Sequence, residues 1–387
     1  MPVVNTAKEI RIKYDEVRRL VELSTNNAKQ RFFQTDKLLQ AEKTPFDVIY
    51  QKDIVRLRYY PPLKESEIVV DGEKVSVEKN THKIPLVMVA PLAVNMYIYD
   101  LFPERSLVKY LRAKGFELYL IDWGRPGWDH NHYTISSYFA EWMPKVLAEV
   151  RAHSGSKKLS LHGWSFGGLF SACYTSLGDP DIVNLALVGA PGDYHANGEL
   201  GKQYQRIAKK LNWLEKKAGW RVHNTRRRWW RSPGWANSLA FKLTNPVGSL
   251  QGYLDLLKNL HDEEYVISHA TNGAFLDNMV AYPGAVIQDV IQYLWADNIV
   301  ARGELPMKNA KGRLANIKSN LLLVVGKQDP VVTPACSVAM LDHVTSQDQT
   351  VLEVNGGHRG ILSGSKAPKT IWPEVAKWLA ERSGSLR

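Results

Sequence analysis

The pentapeptide Gly163-Trp164-Ser165-Phe166-Gly167, extended by Gly168, sets a serine between glycines two positions before and two after it. A short strand, Leu159–Leu161, leads into it, and a helical stretch to about Leu177 follows. In that strand–turn–helix context the pattern is a nucleophile elbow, with Ser165 as nucleophile. The glycines permit the tight turn, because larger side chains would collide with neighbouring backbone. The following helix aims its first N–H groups at developing negative charge, so Phe166 N–H is expected to be one oxyanion donor. A second donor is expected from the loop after the Leu86–Ala90 strand, Pro91-Leu92-Ala93-Val94-Asn95-Met96-Tyr97.

A serine hydroxyl needs a base and an acid, which in this arrangement follow it in the order acid, then His. Leu321–Gly326 reads as a buried strand whose following loop carries Asp329. Val351–Val354 reads as the next strand, followed by Gly356-Gly357 and His358. Both residues then sit at the carboxyl edge of a parallel sheet, where sites gather in open α/β folds. His358 is expected to take the serine proton, and Asp329 to orient the imidazole and stabilise its charged form. Against this stands the plain reading of a solvated loop Asp and a structural loop His. Other candidates fit structural roles better. His162 lies on the buried strand before the elbow, and Asp193 and His195 follow Ala190-Pro191-Gly192 at another strand end. His130 and His132 lack a carboxylate at ligand spacing, so no metal site is expected.

The elements that must hold these residues follow from periodicity. Thr6 to about Lys43 reads as a helix with Ile10, Tyr14, Val17, Leu20 and Val21 on one face. Phe46–Tyr60 reads as strand, and Val69-Val70-Asp71-Gly72 with Val75 and Val77 as a hairpin. From Pro85 strands and helices alternate: strands at Leu86–Ala90, Phe116–Asp122, Leu159–Leu161, Ile182–Val188, Asn320–Val325 and Thr350–Val354, helices at Glu104–Lys114, Ser136–His153, Ala335–His343 and Trp372–Arg382. That alternation implies an α/β fold with a mainly parallel sheet. It breaks between Pro191 and about Arg313, a stretch with helical segments and no convincing strand, best read as a helical cap inserted over the sheet. The expected division is 1–83, an N-terminal helical and strand extension; 84–191, the first part of an α/β-hydrolase core; 192–313, the cap; and 314–387, the second part of the core.

The 387 residues hold 50 Lys and Arg against 39 Asp and Glu, a formal net charge of +11. Nearly all of it comes from one stretch. Lys202–Arg231 has eleven basic residues and one acid, Glu215, with Trp213, Trp220, Trp229 and Trp230 interleaved and Trp235 just beyond. The plain reading is a solvated helix face whose aromatics pack on the sheet. The functional reading is an interfacial segment, with Trp at the boundary of apolar and wet regions and bases drawing anionic lipid or phosphate. No nucleic-acid module accompanies it, so nucleic acid is not an expected partner. Two cysteines, Cys173 and Cys336, exclude a disulfide scaffold and point to a reducing compartment. The start of the sequence has no signal-peptide core, and no apolar run nears the ~20 residues of a membrane span, so a cytoplasmic protein is expected.

With these residues assembled, the chain resembles the catalytic subunit of class III polyhydroxyalkanoate synthases over most of its length. The resemblance rests on Thr44–Tyr50 with Leu57–Tyr60, Asp100–Val108, Gly115-Phe116 with Tyr119–Gly124, Asn298, Gly303, and Gly326-Lys327-Gln328-Asp329-Pro330. It implies an α/β-hydrolase fold, Asp329 and His358 as acid and base, and Val94-Asn95 as the oxyanion loop, with Val94 N–H the second donor. Two features depart from that family. Its elbow carries Cys where this chain has Ser165. Its aromatic-rich segment inside the insertion is poorly matched by Ala270–Phe275 and Tyr282-Pro283-Gly284, which hold no Trp. The resemblance implies acyl transfer through a Ser165 acyl-enzyme, with a 3-hydroxyacyl-CoA thioester as substrate and no cofactor. Serine shifts the balance towards a serine ester hydrolase acting on hydroxyacyl oligomers or lipids, and a non-catalytic granule- or membrane-surface protein is the third reading. A polymer-granule or anionic lipid surface would be met through Lys202–Arg231, and the resemblance leaves room for a partner subunit or homodimer.

Overall fold

A computed structural model describes residues 3–243, 246–310 and 312–386, with side chains from residue 11 onward. Its centre is one sheet of eight strands: β1 Asp47–Lys52, β2 Val55–Tyr60, β3 Leu86–Val89, β4 Leu118–Asp122, β5 Leu159–Trp164, β6 Ile182–Val188, β7 Asn320–Gly326 and β8 Gln349–Val354. Across the sheet they run β1-β2-β4-β3-β5-β6-β7-β8. β1 and β2 are antiparallel to each other, and β2 to β4. All remaining pairs are parallel. Strands β3, β4 and β5 are buried along their whole length; β3 is a plain apolar run, Leu-Val-Met-Val, while β5 buries Ser160 and His162 among its leucines. Because β3, β5, β7 and β8 are parallel, their carboxyl ends share one rim, and the loops after them carry Val94, Ser165, Asp329 and His358.

Helices α1 Val3–Phe33, α2 Leu107–Ala113, α3 Met143–Ser154 and α4 Phe166–Ser176 precede the insertion. The insertion is helical: α5 Gly198–Ala218, α6 Gly234–Leu243, α7 Pro246–Lys258, α8 Glu263–Asp277 and α9 Gly284–Asp289, which continues into a π-helical turn, Val290–Ala296. It is tied to the loops that follow β3 and β4. Val280 N–H donates to Ala93 O (2.9 Å), Arg231 donates to Pro126 O and Gly127 O (2.6 and 2.7 Å), and Gly284 N–H donates to the Asn131 side chain (3.0 Å). Since these are rim loops, the insertion lies over the edge of the sheet that carries the candidate site.

Helix α1 packs on the cap. Asn27 Nδ2 donates to Leu260 O (2.8 Å), Arg31 Nε donates to His269 Nδ1 (3.1 Å), and Leu38, just after the helix, joins Leu256, Val266 and Ala270 in a small core of their own. Its face bearing Tyr14, Val17, Leu20 and Val21 is exposed; the Ile10 side chain lies outside the described residues.

Three expected elements come out differently. The helix from Thr6 ends at Phe33 rather than near Lys43, and a short 3₁₀ turn, Thr35–Leu38, follows. Phe46–Tyr60 is not one strand but a hairpin that turns at Asp53, whose φ of 52° is a left-handed conformation Asp tolerates. Hydrogen bonds from Tyr133 Oη and His130 Nε2 hold that Asp53 carboxylate. Glu104–Lys114 begins as a two-residue strand, Arg105–Ser106, paired with Asp100–Phe102, and becomes helix only at Leu107, where the Ser106 hydroxyl caps Lys109 N–H (3.1 Å).

Candidate active site

The elbow is built by close backbone approach. A Cβ on Gly163 would lie 2.4 Å from Gly167 O, one on Gly167 would lie 1.9 Å from Val89 O, and one on Gly168 would lie 2.6 Å from Ala190 Cβ. Only glycine fits at these three positions. Between them Ser165 takes φ 55° and ψ −123°, a strained conformation for an L-residue. Its N–H donates to Val188 O (2.8 Å), and its carbonyl accepts from Gly168 and Leu169 N–H, so the turn is fixed from both sides.

Ser165, His358 and Asp329 come together in one hydrogen-bonded line. His358 Nε2 lies 2.9 Å from Ser165 Oγ, and His358 Nδ1 lies 2.7 Å from Asp329 Oδ2. An Nδ1–H donated to the carboxylate leaves Nε2 free to accept the serine proton. Asp329 is 3% exposed and His358 6%, so water does not dilute the pair. The second carboxylate oxygen, Oδ1, accepts from Val331 and Val332 N–H, both at 2.9 Å, which fixes the acid's orientation.

Phe166 is the first residue of α4, where a backbone N–H has no acceptor within the helix. Val94 sits on the loop leaving β3, and β3 pairs with β5 up to Val89 opposite Gly163. The two expected donors are thus on adjacent chain segments at the rim. The loop is shaped by Ala93, at φ 62°, and by Asn95, whose Oδ1 accepts from Tyr97 N–H (3.2 Å). The Asn95 amide nitrogen faces three cap carbonyls: Phe275 O at 3.0 Å, Asn278 O at 3.3 Å and Ala274 O at 3.5 Å. The cap therefore grips directly the loop from which the second oxyanion donor is expected.

The competing residues are engaged elsewhere. Asp193 Oδ1 accepts from His195 and Ala196 N–H and from Asn298 Nδ2, and His195 Nε2 meets Trp295 O at 2.7 Å. These bonds secure the start of the cap. His162 is instead packed in the core, where burial pushes its pKa down to about 4, and its Nδ1 has no hydrogen-bond partner among the described residues. His132 Nδ1 lies 2.8 Å from Asp129 O. Both cysteines are buried thiols, and burial raises the pKa of each, that of Cys336 to about 12, so neither offers a thiolate.

Two positioning residues were missed in the sequence. Trp164 Nε1 donates to His358 O (3.1 Å) and its ring lies 5.3 Å from the imidazole, so the residue beside the nucleophile also holds the base. In the sequence Asn95 stands out only through the family pattern, with no sign of its tie to the cap. A large donor-bearing side chain inside the elbow was the available signal for Trp164. Nothing local marks Asn95's partners, which lie about 180 residues away in sequence.

A family model for the alpha/beta hydrolase fold matches residues 95–365. Among curated proteins, the poly(3-hydroxyalkanoate) polymerase subunit PhaC of Haloferax mediterranei is 27% identical over 342 residues, covering 88% of this chain; the chain spans 65% of that relative's length. The PhaC subunit of Allochromatium vinosum is 26% identical over 355 residues, 90% of this chain and 93% of the relative. Among solved structures, a soluble variant of the Saccharomyces cerevisiae monoglyceride lipase superposes with a TM-score of 0.51 at 14% identity, covering 89% of this chain and 97% of that one. That likeness concerns the fold alone. The fold and the relatives support an enzyme of the synthase or hydrolase type. A mostly parallel sheet with a serine elbow at its rim, and a family match over most of the length, lead to one assignment: the chain belongs to the alpha/beta hydrolase fold family.

Proposed function

We propose that this chain is an acyl-transfer enzyme that works through a Ser165 acyl-enzyme on 3-hydroxyacyl-CoA thioesters. The carrying observation is the unbroken Ser165–His358–Asp329 line, and similarity to polymerase subunits along most of the chain adds to it. Ser165 Oγ attacks the thioester carbonyl carbon while its proton moves to His358 Nε2. Phe166 and Val94 N–H stabilise the oxyanion. The C–S bond breaks, and CoA leaves as the thiol with the proton from His358. The hydroxyl of a second acyl unit then attacks the Ser165 ester, passing its proton through His358 back to the serine oxygen.

A specific observation favours a second reading. The elbow carries a serine, Ser165, and a serine ester is a less activated acyl donor than a thioester. Loading from CoA is downhill, but chain growth is near thermoneutral, so water competes unless the cap excludes it. Serine ester hydrolysis of hydroxyacyl oligomers or lipids is then the outcome. Incubation with 3-hydroxybutyryl-CoA and with short aryl esters separates the two: polymer supports the synthase, and free acid alone, mainly from the esters, supports the hydrolase. Ser165→Ala is expected to abolish labelling by a fluorophosphonate; labelling that persists shows that the nucleophile lies elsewhere. No turnover and no labelling of the native protein leaves the non-catalytic surface protein.

The exposed bases and tryptophans of Lys202–Arg231 support docking to an anionic lipid or polymer-granule surface. Trp213 and Trp229 are exposed, and beyond them Trp235, Leu239 and Leu243 of α6 and Val247, Leu250 and Leu254 of α7 form an outward apolar stripe. Among the described residues no helix is long and apolar enough to cross a membrane. Arg221 and Arg231 are internal ties, to Glu215 and Asp297 and to the Pro126-Gly127 backbone. The surface charge therefore comes from the remaining bases.

A further inference from the structure

A cavity of about 490 Å³ lies in the seam between α1, the cap and the loop after β8, and its lining includes Arg31, Lys242, His269, Asn272, Asp277 and Arg359. Its charges do not balance. Among the described residues Asp277 is the only carboxylate of the lining, and it is bound to Lys242 at 2.6 Å. Arg31 is 6% exposed and donates from Nε to His269 Nδ1, an imidazole whose pKa is lowered by burial and by that arginine. Arg359, the residue after His358, has no side-chain hydrogen bond or ion pair among the described residues, and burial lowers its pKa. Arg105 feels the charges of both Arg359 and Asp71, and the Asp71 carboxylate is itself held by Lys369 at 3.2 Å. Arg105 stacks on Phe102 at 4.6 Å and donates from Nη2 to Asn272 of the lining at 3.4 Å, while its buried Nε has no hydrogen-bond partner among the described residues.

Unpaired guanidinium groups in a desolvated seam are costly, and a fold keeps them at a cost in stability unless something anionic completes them. Arginine donors in a fixed fork suit phosphate. Two links join the walls of the cavity to the candidate site. Arg359 directly follows His358, and α8, which lines the cavity with Asn272, Gly273, Leu276 and Asp277, delivers its last carbonyls to Asn95 of the oxyanion loop.

We infer that Arg359 and Arg105, with Arg31 of α1, form a binding site for the phosphate of a phosphorylated acyl donor whose acyl end lies at Ser165. The inference rests on the acyl-transfer reading for what the ligand does, but not for the site itself. The shared chemistry is an organic phosphate, carried by a CoA thioester or by a phospholipid headgroup.

The test is calorimetric binding to the whole chain, which needs no turnover. CoA is compared with pantetheine, the same thiol arm without phosphate, and vesicles of phosphatidylcholine with and without phosphatidic acid are compared in parallel. CoA should bind at least tenfold more tightly than pantetheine, and Arg359→Gln and Arg105→Gln should each bring that ratio near one. The wild-type advantage should also fall as salt is raised. Arg359→Gln should melt no lower than wild type, because it removes an unpaired charge, which guards against a folding artefact. If only the phosphatidic acid vesicles show an advantage, and Arg359→Gln removes it, the site stands with a lipid headgroup as its source. If neither probe distinguishes phosphate, or the ratios survive both substitutions, the inference is overturned. A site that binds CoA in a protein that makes no polymer leaves the inference standing and removes the synthase reading.

Discussion

Asn95→Asp tests whether the cap sets the oxyanion loop. The substitution is nearly isosteric, and a carboxylate still accepts from Tyr97 N–H as Asn95 Oδ1 does. It removes the amide protons that reach Phe275, Asn278 and Ala274 O. An NH₂ group has two protons, so at most two full hydrogen bonds are lost, about 2 kcal/mol in net terms. The new negative charge also faces the carboxyl end of α8, which adds roughly 0.3–1 kcal/mol against docking. The docked arrangement is then disfavoured by about 3 kcal/mol, on the order of a hundredfold shift in the docked-to-undocked ratio. Val94 lies one residue away, between Ala93, whose carbonyl is also held by the cap at Val280, and Asn95. Loss of one oxyanion donor typically lowers kcat ~10²–10³-fold. Steady-state hydrolysis of a short aryl ester should therefore show kcat reduced on the order of a hundredfold with KM changed much less. The far-ultraviolet circular dichroism should be unchanged, since the helices remain. A folded Asn95→Asp protein with kcat within threefold of wild type would refute the coupling of cap to oxyanion loop.

Asp329→Asn should lower kcat by about 10⁴-fold with little change in KM, because an amide at that position favours the wrong imidazole tautomer; aryl-ester kinetics check it. A loss below tenfold would show that Asp329 does not orient the base. His162 gives a pH dependence. Its folded pKa of about 4 lies below the ordinary histidine value of 6.5, so the unfolded chain binds the extra proton between those values. Its contribution, on the order of 3 kcal/mol, is present above pH 6.5 and is lost as pH falls towards 4. Melting temperature should drop over that window, and His162→Gln should flatten the drop; an equally steep profile in the variant would assign the loss to other groups. Replacing Arg226, Arg227 and Arg228, all exposed, with Gln should weaken binding to anionic vesicles roughly a hundredfold at about 1 kcal/mol per charge, measured by co-sedimentation. Unchanged sedimentation would remove this segment from any docking surface.

The parallel strands were readable because a strand buried on both faces has to be a short apolar run, and Leu86–Val89 and Leu321–Val325 are such runs. The Asp71-Gly72 turn was readable because its positive φ angles, 49° and 80°, need those residue types. The hairpin at Asp53 was missed because its turn has no glycine; Tyr133 and His130, some eighty residues on, hold the Asp53 carboxylate instead. The end of α1 was misplaced because the residues after Phe33 remain compatible with helix, and their contacts with Thr271 of the cap decide the matter.

By itself the sequence predicted the elbow and placed Ser165, Asp329 and His358, in that order, on one rim. Each follows from steric limits on a few neighbouring residues and from the direction of parallel strands. Tertiary structure alone decided that α1 packs on the cap, that Asn95 joins the loop after β3 to α8, and that Arg105 and Arg359 meet at one seam. Those facts depend on which side chains meet across long stretches of chain, and burial and charge balance are properties of that meeting rather than of any local pattern.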